Sequence, residues 1–220
     1  MAINAQNSLL CIRPKDLTTD FLDPIGDIFG DKYIIVDDND EAHASALSRL
    51  QQLHPASIII FLGHGSSTCL HSAKTESYKQ RDFITKDNND IFVNNNVLLL
   101  TCRSEQLISR FNGYKDIIGF GNIISSREEI SQEAEETGKF RTLEDNEIET
   151  FNKSFVYAIR TSFELLLSEK IAFSQIPQYI SFFINKCINN ILRDQSFKNR
   201  IELARLLFEF RNEMKHLKGY

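Results

Sequence analysis

No CxxC pair occurs among the four cysteines (Cys11, Cys69, Cys102 and Cys187), which argues against both a zinc-ribbon spacing and a disulfide framework. No window approaches the roughly 18 consecutive apolar residues of a membrane helix. The opening MAINAQNSLL has neither a basic start nor a small-residue cleavage site, so no secretory leader is expected. A basic excess is missing too. The net charge of −5 offers no general field for gathering nucleic acid. Internal repeats, low-complexity tracts and a Gly/Pro-rich linker are also absent. These absences predict a cytoplasmic chain with reduced thiols and no nucleic-acid or membrane partner.

What remains is an ordinary globular composition. At 220 residues, 42% hydrophobic and 25% charged, the chain can bury a core as one domain, or as one domain with an appended part. The first half alternates short apolar runs with helical segments: LLCIR, a segment TTDFLDPIGDIFG interrupted by Pro24, YIIVD, the helical EAHASALSRLQQL, then SIIIFLG. Nearly continuous apolar strands imply burial on both faces, hence an α/β fold with a mostly parallel sheet between helices. On this reading Cys11 and Cys187 pack inside, while His43 and His54 lie on the surface. A polar excursion follows from about Ser66 to Asn96, and VLLLTC, SEQLISRF and DIIGFGNIIS supply a fourth strand, a short helix and a fifth strand. Residues 126–149 carry many charges with little apolar period, and read as an exposed loop or solvated helix. From Phe151 onward amphipathic helices are expected. Leu203, Leu207, Phe210, Met214 and Leu217 form a seam along the last one.

Two strands end on reactive side chains. IIIFLGHGSS runs into His64-Gly65, and VLLLTCRS runs into Cys102. Ligands of open α/β sheets bind outside the carboxyl ends of the strands, and neighbouring strands lie about 5 Å apart. If the two strands are neighbours, His64 and Cys102 can meet across that crevice. An imidazole beside a thiol is the minimal covalent acyl-transfer catalyst. The amides of Gly65 and Cys102 are candidate oxyanion donors, the glycine because it lets the backbone approach a substrate.

The paired His-Gly and Cys motifs resemble those of the caspase-like cysteine peptidases, the clan of caspases, metacaspases, gingipains, separase and CHAT domains. The resemblance runs from about Leu9 to Leu167, and CHAT and gingipain-type members are nearest. It implies a caspase-like peptidase domain over 1–167 with a helical extension over 168–220. His64 would be the catalytic histidine, Cys102 the nucleophile, and no cofactor would be needed. The caspase signature Q-A-C-[RQG]-G meets Leu100-Thr101-Cys102-Arg103-Ser104 here, so only Cys102 and Arg103 agree and a preference for aspartate is not implied.

Arg13, Arg103 and Glu128 are candidate substrate-binding residues. A protein or peptide substrate and a regulatory protein partner are expected, with bacterial antiviral defence as a fitting setting. The competing reading is an inactive caspase-like module that docks through its C-terminal helices. His64, Cys69, His71 and Cys102 could in principle supply four zinc ligands, but Cys69-Leu70-His71 is an uncommon spacing for a finger, so no metal is expected.

Overall fold

The computed structural model describes residues 9–219; the opening residues read for a leader lie outside that range. The described residues form two compact units, one of residues 9–121 and 214–219, the other of residues 122–213. The division expected from the family resemblance, after residue 167, coincides with the end of a long helix of the second unit.

In the first unit, β1 (Leu9–Pro14) leads through 3-10 turns and a short helix α1 (Asp23–Gly26) to β2 (Tyr33–Val36). Helix α2 (Asp40–Gln51) is capped by Asn39, whose side chain accepts from the Ala42 amide. It precedes β3 (Ile58–Leu62). A hairpin of β4 (Cys69–His71) and β5 (Asp82–Thr85) comes next, then β6 (Asn96–Leu100), the short α3 (Ser104–Leu107) and β7 (Asp116–Gly119). The final β8 (Lys215–Lys218) pairs antiparallel to β7.

The main sheet has six strands in the order β2-β1-β3-β6-β7-β8, parallel except for the last pair. This is the α/β architecture expected from the apolar runs. Every residue of β3 and β6 is buried, as central strands demand. The edge strand β2 departs from that rule, with Ile35 44% exposed. The chain leaves β1 toward one edge and returns as β3 on its other side. The β1/β3 boundary is therefore a topological switch point.

Several expectations need correction. The run DIIGFGNIIS yields only four strand residues. A Cβ on Gly119 would lie 2.6 Å from the Ser104 carbonyl oxygen, and the Phe120 amide donates to Ser104 Oγ, so the chain leaves the ladder there. The excursion after Gly65 is structured. Its Leu70, Phe83, Ile84, Ile91 and Phe92 join the sheet's core. His43 is buried rather than superficial: its Nε2 accepts from the Ala73 amide, and its ring stacks on Tyr78 and stands edge-on to Phe83. Cys11 is fully buried as expected, whereas Cys187 is only partly so.

The second unit contains α4 (Arg127–Thr137), α5 (Asp145–Leu167), α6 (Ile176–Arg193) and α7 (Arg200–Glu213). Phe151 and Phe155 of α5 pack on Phe210 of α7, forming an aromatic core. Leu203, Leu207 and Phe210 are buried, so this part of the expected seam is interior. The helix stops at Glu213, and Leu217 lies instead in β8. The charged stretch 126–149 folds into α4 and the start of α5. It carries Arg141, whose side chain is 2% exposed and meets Glu133, Glu202 and Glu209. No helix among the described residues is long and apolar enough to cross a membrane.

Candidate functional site

Leu62 of β3 pairs with Leu100 of β6, and the Gly63 amide donates to the Leu100 carbonyl at 3.2 Å. His64 and Cys102 each stand two residues beyond that pair, just past the carboxyl ends of neighbouring parallel strands. Gly65 is held against the residue preceding the cysteine: a Cβ placed on it would lie 2.6 Å from Thr101 Oγ1 and 2.9 Å from Thr101 Cβ. Only glycine lets the two strand ends come this close.

The turn after Cys102 is pinned from inside. Arg103 has a left-handed backbone (φ 58°), is exposed, and donates its amide to the Gly121 carbonyl. Ser104 is fully buried. Its Oγ accepts from the Phe120 amide and lies 2.8 Å from the Leu99 carbonyl and 2.9 Å from that of Thr101. Cys102 itself is half-buried, and its sulfur is not part of a disulfide.

His64 is oriented by residues that the sequence reading missed. Asp16, 5% exposed, caps the 3-10 turn after β1, and its Oδ1 accepts from both the amide and the hydroxyl of Thr18. Thr18 Oγ1 lies 2.7 Å from His64 Nε2, and Asp16 Oδ2 lies 3.5 Å from the same nitrogen. The Thr18 hydroxyl has one proton. If that proton goes to Asp16, Thr18 accepts from His64 Nε2–H, and the neutral ring carries its lone pair on Nδ1. Asp16 Oδ2 has no hydrogen-bond partner, so its charge is directed at the imidazole. These contacts cross the β1/β3 switch point. The signal that could have found them is Asp16-Leu17-Thr18, a capping sequence at the carboxyl end of the first buried strand.

Gly65 faces Leu70 of β4 in an isolated antiparallel bridge, closed by Ser66 N–H to the Cys69 carbonyl and His71 N–H to the His64 carbonyl. In such a pair the facing residue directs its own N–H away from the partner strand. The Gly65 amide therefore points away from β4.

The other candidate residues are placed differently. Arg13 is 2% exposed, and its guanidinium is engaged by Asp20, Asp23, Tyr33 and Thr19. It is neither a surface cation nor a rim group. Glu128 belongs to the second unit, on α4, where it is exposed and lines a shallow depression with Arg127, Asp145 and Asn152. Of the four zinc donors weighed from sequence, Cys69 and His71 come together with Asp82, and that group includes neither His64 nor Cys102. Burial lowers the pKa of His71, partly offset by Asp82, with His64 lowering it further. Burial and Asp82 push the Cys69 thiol up, against the hydrogen bond from Ser66.

No protein-family model matches the chain, and no curated protein is significantly similar to it in sequence.

Proposed function

We propose that the protein is a caspase-like cysteine endopeptidase working through His64 and Cys102. The observation that carries the reading is the register: two residues beyond the paired Leu62 and Leu100, a base and a thiol stand just past the ends of adjacent strands. Gly65, packed on Thr101, is a second support.

In the proposed reaction, His64 Nδ1 takes the Cys102 thiol proton and Sγ attacks the carbonyl carbon of the scissile bond. The developing oxyanion is held by the amides of Gly65 and Cys102. Thr18 and Asp16 hold the imidazole in position and stabilise its charge once it is protonated. When the tetrahedral intermediate collapses the C–N bond breaks, and the proton on His64 passes to the leaving amine. Water, deprotonated by the same nitrogen, then hydrolyses the thioester and restores the thiol.

A peptidase of this kind needs restraint, and a regulatory protein partner is the form of control we favour. The decisive experiment is a peptide-library cleavage assay on purified protein, with and without candidate partners. Cys102→Ala and His64→Ala should each lower cleavage by at least about a thousandfold while the circular dichroism stays native. Retained cleavage by Cys102→Ala would overturn the assignment. A thiol-reactive probe gives an independent readout, with Cys102 labelled in preference to Cys69 and the labelling suppressed by His64→Ala.

A further inference from the structure

A second set of reactive side chains lies on the β4–β5 hairpin, apart from the His64/Cys102 pair. Cys69 and His71 are two positions apart on β4 and so share one face of the strand. A register shift between Leu70 and His71 places Asp82 opposite His71, where an unbroken ladder would place Phe83. The irregularity thus exchanges an aromatic ring for a carboxylate beside the imidazole, while Phe83 turns into the core.

Cys69 Sγ, a His71 ring nitrogen and an Asp82 carboxylate oxygen all lie within 4.8 Å of one another. The sulfur is 3.6 Å from His71 Nδ1 and 3.2 Å from Asp82 Oδ1. Around a tetrahedral zinc ion, with bonds of about 2.0–2.3 Å, donor atoms stand about 3.3–3.8 Å apart, and a sulfur and a nitrogen or oxygen donor about 3.5 Å. The first spacing already fits, and the second needs to open by only a few tenths of an ångström.

We infer that the hairpin binds a divalent zinc ion through Cys69 Sγ, His71 Nδ1 and the Asp82 carboxylate, with water in the fourth position. A thiolate with an imidazole selects a borderline-soft transition metal over magnesium or calcium. On binding, the Cys69 thiol gives up the proton it shares with Asp82, which leaves to solvent, and the Zn–S bond takes its place. The ion also has a mechanical consequence. Because the backbones of Cys69 and His71 are bonded to those of Ser66 and His64, stapling the hairpin stiffens the turn that carries His64 and Gly65.

The test is a zinc titration of chelator-treated, reduced protein against a chromophoric chelator, together with cobalt substitution. One equivalent of zinc should bind, and cobalt loading should give a thiolate-to-metal charge-transfer band. Cys69→Ser and Asp82→Asn should each weaken binding at least about tenfold, while Cys102→Ala keeps both signals. Asp82 is exposed, so its variant decides the matter even if Cys69→Ser folds poorly. Absence of saturable binding, or equal binding by wild type and Asp82→Asn, overturns the site. Loss of binding in Cys102→Ala also overturns it, because the ion would then sit on the proposed catalytic pair. None of these readouts depends on peptide cleavage, so the metal site and the peptidase reading stand or fall separately.

Discussion

The Arg141 cluster of the second unit and the His64 end of the first unit's sheet both hold charged groups in the interior, and they are completed in opposite ways. Around Arg141 the donors are met. Glu133 accepts a two-pronged bond at 2.5 and 2.9 Å from Nε and Nη2, Glu202 accepts from Nη1, Glu209 shares Nη2 with Glu133, and Lys139 adds a second cation on Glu209. Around His64 the set stays open. Asp16 Oδ2 and Thr101 Oγ1 are buried without a hydrogen-bond partner, and His64 and Cys102 are only partly covered. A closed cluster stabilises one arrangement of helices. An open one leaves buried polar groups unsatisfied, a feature characteristic of functional sites.

The sharpest way to break this contrast is Arg141→Ala. It leaves three carboxylates without their common cation, and should cost about 3–5 kcal/mol in denaturant unfolding. A loss below about 1 kcal/mol would mean that the cluster is ornamental.

At the open site, Gly65→Ala should act on chemistry more than on stability. Its Cβ would press on Thr101 and move the Gly65 amide, with a loss of about 10²–10³ in kcat, comparable to removing one oxyanion donor. An unchanged kcat would remove Gly65 from the proposed mechanism.

Thr18→Val deletes the hydroxyl that links Asp16 to His64. It should lower kcat by about tenfold with little change in KM, since it touches base positioning and not substrate binding. A change confined to KM would point to a substrate contact instead.

The smallest effect concerns acid. Burial by itself would raise the Glu209 carboxyl, but the hydrogen bonds and charges of Lys139 and Arg141 outweigh it and hold the pKa below the ordinary value. A folded-state pKa lowered in this way adds stability above the unfolded pKa, and that stability is lost as pH falls through the folded value. Glu209→Gln should therefore flatten the fall of Tm between neutral and acid pH, by up to about 1 kcal/mol in stability. A wild-type slope in the variant would show that other carboxylates carry the acid sensitivity.

Charge was the least legible property in the sequence. The stretch 126–149 reads as solvated because it has many charges and no apolar period, yet Arg141 is buried: its partners Glu202 and Glu209 lie 61 and 68 positions away. Arg13 misled for a similar reason, since Asp20, Asp23 and Tyr33 reach it only once the chain between β1 and β2 turns back. Asp16 and Thr18 went unnoticed because their relation to His64 crosses the switch point. The Cys69, His71 and Asp82 grouping depends on a bulge that periodicity does not reveal.

What the sequence determined by itself is the five parallel strands of the sheet and the two strand ends, the antiparallel β8 having read as helix. The continuous apolar runs SIIIFLG and VLLLTC call for strands buried on both faces, and the residues that follow them, His64-Gly65 and Cys102, must emerge at the same edge of a parallel sheet. Which polar groups meet there was left to the tertiary structure. A hydrogen bond or ion pair depends on positions fixed to within an ångström by packing over the whole unit, and local pattern carries no record of distances across dozens of residues.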